Sequence, residues 1–279
     1  MVARKISLEN MKDRKVLSLK REVNLANRIW EIAYPVLMYY VAITIGMFIA
    51  QLIFGTGIEN YMLCKIVGSV VAIPVVYMDY KRDLMMTGKF GVKSPITIQQ
   101  VKQILAIIGI TICLSVALNN IISMSPLVSM SEEYQNANDA FYGSTLGWEL
   151  LGSALITPLL EELLHRGVVY GRLRRRMTMW PAVVISALVF AILHFNIVQF
   201  TYAFLLGIVF ALFVEKTGKV YPAVIAHVVA NGIAVIRTET GFLKEMVDGS
   251  VSAWLISIGI CLIGISGLIV FVGKKKEEA

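Results

Sequence analysis

Apolar residues run along this chain in long blocks separated by short charged stretches, and each block approaches the roughly 20 residues that an α-helix needs to cross a bilayer core of about 30 Å. The first stretch without Asp, Glu, Lys or Arg spans residues 32–58 and predicts one crossing ending near Phe54. A second, over residues 61–78, carries Lys65 near its start, where a long side chain can snorkel to the interface. Residues 104–122 supply a third, and residues 146–164 a fourth that contains the adjacent acids Glu161 and Glu162. Residues 177–214 hold no charged residue and form a block too long for one crossing, so they predict a helical hairpin forming spans five and six. Residues 220–236 and 253–272 complete the set. The pattern therefore predicts an all-α polytopic membrane helix bundle with about eight transmembrane helices.

Composition agrees. The 279 residues are 57% hydrophobic and 16% charged, with mean hydropathy +0.71. Soluble domains carry about 25% charged residues, so this chain falls outside that class. The net charge of +7 could suggest nucleic acid, but its distribution gives a different account. With the N-terminus assigned to the cytoplasm and the loops alternating, 23 of the 26 Lys and Arg fall in cytoplasmic segments. That is the positive-inside pattern with both termini cytoplasmic, and no nucleic-acid partner is expected.

Residues 1–31 do not read as a cleavable signal, because the charged region is too long and the apolar run that follows is a full span. Val16, Leu19, Val23, Ala26 and Trp30 recur at helical spacing among basic residues, predicting an amphipathic helix on the inner leaflet, with a flexible basic tail as the alternative. Residues 32–273 read as a single transmembrane domain with a motif-bearing core at about 145–240, and residues 274–279 as a cytoplasmic tail. Cys64, Cys113 and Cys261 each lie in an apolar stretch and read as packing residues.

Ionisable groups inside a span are costly unless paired or facing a cavity, so each marks a candidate functional residue. Glu162 and Arg166 form an i, i+4 pair on one helical face. Glu161 points elsewhere, with His165 as its own i+4 neighbour. A charged helix end at the interface would also explain this segment, but Pro158 favours a site: a proline kink frees backbone groups, tolerated where they line a buried or wet cavity. His194, near the far end of span five, could be a hydrogen-bonded structural residue. His227 and Asn231, i and i+4 in span seven, suit either two donors aimed at one point or helix–helix glue. All three histidines of the chain lie in these segments.

Taken together, Glu161-Glu162-x-x-x-Arg166, Phe190-x-x-x-His194 and His227-x-x-x-Asn231, in this order and on three separate spans, closely resemble the three motifs of the CPBP family. That family comprises type II CAAX prenyl proteases and bacteriocin-processing or self-immunity proteins. The resemblance covers about residues 145–240 and implies a glutamate-dependent intramembrane endopeptidase.

Peptide hydrolysis requires a nucleophile, a general base and donors for the oxyanion. No Ser or Cys has an evident base partner, which favours activated water. Glu161 is the natural base, His194 could hold the water or protonate the leaving amine, and His227 with Asn231 could polarise the carbonyl. Glu162, fixed by Arg166, would support the helix. The resemblance implies the same residues. A zinc version would use Glu161, His194 and His227 as a His₂-carboxylate set with an open position; the metal-free version, without a cofactor, is preferred.

Counting about 1.5 Å per residue puts Glu161 and His227 some 10–15 Å from the cytoplasmic surface but His194 about 20 Å deep, so convergence requires span five to tilt or residues 171–179 to lie along the surface. The expected partners are membrane lipids and a peptide or membrane-protein substrate entering from the cytoplasmic half of the bilayer. Within the resemblance, prenylated CAAX substrates belong to the eukaryotic branch, and the lack of long hydrophilic insertions implies a bacterial plasma-membrane member of the family. Two rival readings stand: a non-proteolytic membrane scaffold or immunity protein, and an ion-coupled transporter.

Overall fold

The computed structural model describes residues 2–91 and 97–273, with side chains described from residue 26 onward. Nine helices account for the described chain. These are α1 (Val2–Phe54), α2 (Tyr61–Met86), α3 (Ile98–Ser123), α4 (Glu132–Phe141), α5 (residues 146–174), α6 (Met179–Ile192), α7 (Ile197–Thr217), α8 (Tyr221–Thr240) and α9 (Val251–Gly273). Six are long and apolar enough to cross a membrane. The protein is a helical membrane bundle.

Helix α1 runs unbroken through residue 31, so no backbone break separates the expected N-terminal segment from the first span. Val16, Leu19 and Val23 of the expected amphipathic stripe lie outside the described side chains, and the tail 274–279 lies outside the described residues.

Helices α1 and α2, and α6 and α7, pack as antiparallel neighbours, while α3 packs on the distant α9, antiparallel to it, and on α8, which runs parallel to it. Between lipid-like apolar surfaces there is little hydrophobic drive, so close backbone approach matters more than in water. The α1–α2 pair shows it: a Cβ at Gly46 would stand 2.7 Å from Cα of Gly68, and one at Gly68 would stand 2.7 Å from the carbonyl of Ile43. Only glycines fit there.

Helix α5 threads the centre, touching α2, α6 and α8. It is longer than the predicted fourth span because it continues to Arg174. Arg172 can remain inside because its charge is answered on all sides. Nε donates to Asp83 at 2.7 Å, Nη2 to Asp79 at 2.9 Å and Nη1 to the Glu31 carbonyl at 2.6 Å. Arg176 adds an ion pair to Glu31. Residues 171–174 are thus the last turn of a buried helix, which corrects the expectation of a stretch along the surface.

That extra length removes the depth mismatch between Glu161 and His194. Measured from the turn that joins the two helices, Glu161 lies nearly as far back from Arg174 on α5 as His194 lies beyond Met179 at the start of α6. At about 1.5 Å per residue the two rise to nearly the same level, about 20 Å above that turn.

Two stretches of α5, residues 150–156 and 163–170, are π-helical and flank the α-helical turn that carries Glu161 and Glu162. Such segments occur mostly as short bulges and often at functional sites. Pro158 lies within α5 without interrupting it. In a π-type ladder the N–H of residue 158 would reach the carbonyl of Ser153, and proline has no N–H. Asn231 Nδ2 on α8 donates to that carbonyl instead, at 2.8 Å.

Candidate active site

A cavity of about 490 Å³ lies between α1, α2, α5, α6, α7 and α8. Glu161, His194, His227 and Asn231 all line it, as does His165. Glu162 and Arg166 are not among the lining residues; they lie buried behind it with no side-chain exposure. The motif residues read from the sequence therefore divide into four that reach the open space and two that support them.

Support comes through one oxygen. Glu162 Oε1 accepts from Arg166 Nη1 at 2.8 Å and from His227 Nδ1 at 2.9 Å. Arg166 Nη2 donates to the Gly207 carbonyl at 2.9 Å, and its guanidinium lies 4.7 Å from the Phe190 ring centroid. A carboxylate only accepts, so His227 bears its proton on Nδ1 and turns Nε2 toward the cavity. Nε2 stands 3.8 Å from Glu161 Oε2. The spacing of Glu162 and Arg166 announced their pair; the bond to His227, 65 residues away, had no sequence signal.

His194 is placed differently from the expectation. It lies in the turn between α6 and α7, past the C-cap of α6, rather than within a helix. Its Nδ1 pairs with the Phe190 carbonyl at 3.0 Å. A carbonyl cannot donate, so neutral His194 carries its lone pair on Nε2, an acceptor for water rather than a donor. The turn is held from both sides. Tyr40 on α1 donates to the Leu193 carbonyl at 3.2 Å, and Asn196 caps α7 by accepting from Gln199 N at 2.8 Å. Asn196 also donates to the His194 carbonyl at 3.1 Å. Between them Phe195 adopts φ 55°, a left-handed conformation uncommon for a bulky residue and typical of constrained functional turns.

Phe190 is the hub of the site. Its ring centroid is 4.9 Å from His165, 4.9 Å from His194 and 5.7 Å from His227. Its place four residues before His194 was visible in the sequence, but its contact with all three histidines was not.

Two further parts escaped the sequence reading. Lys65 does not snorkel outward; it lines the cavity, with Nζ 3.9 Å from the Phe141 ring centroid. Helix α4 presents Tyr134, Ala137, Asn138 and Phe141 to the same space. Those positions, i, i+3, i+4 and i+7, form one helical face. A short polar helix carries no span signal, so the sequence reading passed over α4.

The donors do not form a metal centre as they stand. Among the described residues no group of three His, Cys, Asp or Glu side chains is disposed to hold a metal ion. Glu161 and His227 approach each other, but His194 does not complete a set with them.

Tyr61, Ser123 and the exposed Phe195, at the end of the bundle where α1 meets α2 and α3 meets α4, are among the residues that line the cavity. The opposite half is filled by Leu164, Tyr170, Leu173, Phe213 and their neighbours. The turn at Arg174–Arg176 lies at that closed end.

Residues 143–233 match the family described as Type II CAAX prenyl endopeptidase Rce1-like. A protein of Bacillus subtilis (strain 168) named "Putative membrane peptidase YdiL" is 26% identical over 87 residues, which is 31% of this chain and 36% of that protein. Over this segment the chain is similar to the CPBP family, and it spans about a third of the curated relative it matches. No solved structure matches. The matched segment contains the whole of α5, α6 and α7 and reaches past Asn231 on α8, so every motif residue of the cavity falls inside it. The portions of α1, α2 and α4 that line the same cavity lie outside it.

Proposed function

We propose that the protein is an intramembrane endopeptidase of the CPBP type, in which Glu161 activates water. The observation that carries this reading is the meeting of Glu161, His194, His227 and Asn231 on one membrane-embedded cavity, with His227 oriented by the buried Glu162. The matches to CAAX-type and membrane-peptidase proteins support it and favour a bacterial plasma membrane.

In this mechanism the Glu161 carboxylate takes a proton from water as the water oxygen attacks the scissile carbonyl carbon. His194 Nε2 accepts the second water hydrogen and fixes its orientation. The carbonyl π bond opens to an oxyanion, met by Nε2–H of His227, when that nitrogen is protonated, and by the Asn231 amide N–H not used on Ser153. The oxyanion then re-forms the carbonyl, the C–N bond breaks, and Glu161 passes its proton to the leaving amine. The products are a carboxylic acid and an amine. A cavity of this size lies in the range of small-ligand pockets and admits a short extended stretch of chain rather than a folded domain.

The test is cleavage of a peptide library by purified protein in nanodiscs, comparing wild type with Glu161→Gln and His227→Phe, each with and without chelator. Cleavage by wild type, lost in Glu161→Gln at an unchanged unfolding midpoint and insensitive to chelation, is the expected result. Retained cleavage in Glu161→Gln refutes the assignment of the base. Loss on chelation with recovery by zinc refutes the metal-free mechanism.

A further inference from the structure

Helices alternate in direction through this bundle, so every loop and terminus falls at one of two ends, and the site belongs to only one of them. The closed end gathers the start of α1, the α2–α3 connection, the 175–178 turn, the α7–α8 turn and the end of α9. The open end gathers the α1–α2 connection, residues 124–145, the 193–196 turn and residues 241–250. Lys65, Arg237 and Lys244 are the three Lys and Arg that lie toward the open end. One of these is turned into the cavity, and Arg237 donates to Asn120 at 2.7 Å inside the bundle. The remaining basic residues of the described chain fall at the closed end, except Arg166, which is buried in its pair with Glu162.

The excess of Lys and Arg in short loops and within about 15–20 residues of span ends sets orientation. That rule puts the closed end in the cytoplasm. The residues that line the cavity lie toward the other end, Tyr61, Ser123 and the exposed Phe195 among them, so that side of the cavity faces away from the cytoplasm.

We infer that the cavity opens to the extracytoplasmic side, and that its substrates are segments of exported or membrane-anchored polypeptide presented at the outer face. The reading of those segments as substrates rests on the proposed peptidase activity; the orientation does not. This replaces the cytoplasmic entry expected from the sequence.

Site-directed cysteine labelling tests the inference. In a background with Cys64, Cys113 and Cys261 replaced by Ala, two single reporters are introduced: Ser123→Cys, exposed and lining the mouth, and Met86→Cys, 76% exposed at the closed end. A membrane-impermeant maleimide is applied to spheroplasts, with permeabilised cells as the sample in which both reporters must react. Labelling of Ser123→Cys in sealed spheroplasts, with loss of Met86→Cys labelling until permeabilisation, is the expected result. The reverse pattern overturns the inference. Met130→Cys, 78% exposed in the α3–α4 connection, gives a second reporter for the open end should Ser123→Cys fold poorly. The labelling is independent of catalysis, so a protein with no peptidase activity can still confirm or refute the orientation. If activity is found, an impermeant peptide should be cut by right-side-out vesicles and spared by inverted ones.

Discussion

Replacing Glu162 by Gln isolates the buried link on which the arrangement of His227 depends. Glu162 and Arg166 are both withdrawn completely from solvent, and one carboxylate oxygen serves Arg166 at 2.8 Å and His227 at 2.9 Å. Gln keeps the shape and can offer a carbonyl oxygen to the same donors, but it removes the negative charge that offsets the guanidinium. Taking one partner from a buried ion pair costs about 3–5 kcal/mol. Arg166 keeps its bond to the Gly207 carbonyl and its contacts with Phe190 and Phe210, so the loss should fall at the lower end, near about 3 kcal/mol. Arg166→Met should cost a similar amount, because Glu162 is then left with His227 alone. The double variant removes both charges together and should lose less than the sum of the singles by about 1–3 kcal/mol. The assay is thermal unfolding in detergent, followed by the reactivity of Cys64, which is 1% exposed when folded, in a background lacking the other two cysteines. Strict additivity in the double-mutant cycle, or single losses under about 1 kcal/mol, would refute the coupling argued from the geometry.

Other outcomes follow from the same contacts. Asn231→Leu leaves the Ser153 carbonyl without its donor and should destabilise the bundle by about 1–3 kcal/mol. Adding Pro158→Ala restores a backbone N–H near that carbonyl and should recover part of the loss; a further loss would contradict the account of the π-helical segment. Gly46→Leu drives side-chain atoms into the α2 backbone at Gly68 and should lower the unfolding midpoint, by about 1–3 kcal/mol if α1 can shift and by more if it cannot.

The all-helical membrane class was legible because each apolar block states its own length, and burial in lipid does not depend on which neighbour is present. The Glu162–Arg166 pair was legible for a similar reason, since i, i+4 contacts are set by the geometry of one helix. Polar residues within apolar blocks marked Glu161, His194, His227 and Asn231, because a lone polar group in a span needs a partner or a cavity. The end of α5 was misread because Arg172 looked like a loop residue; Asp79, Asp83 and the Glu31 carbonyl, all distant in sequence, allow it to stay buried. The depth mismatch followed from that single misreading.

What this sequence determined alone was therefore local: where helices can form, which of them are apolar enough to span, and which faces carry chemistry. Only the tertiary structure decided that Glu162 orients His227, that Asn231 serves the carbonyl left open by Pro158, and that Lys65 turns inward. It also decided that the cavity lies toward the end with few basic residues. Each of these depends on which helix stands beside which and at what height, and the periodicity of a single helix carries no record of its neighbours.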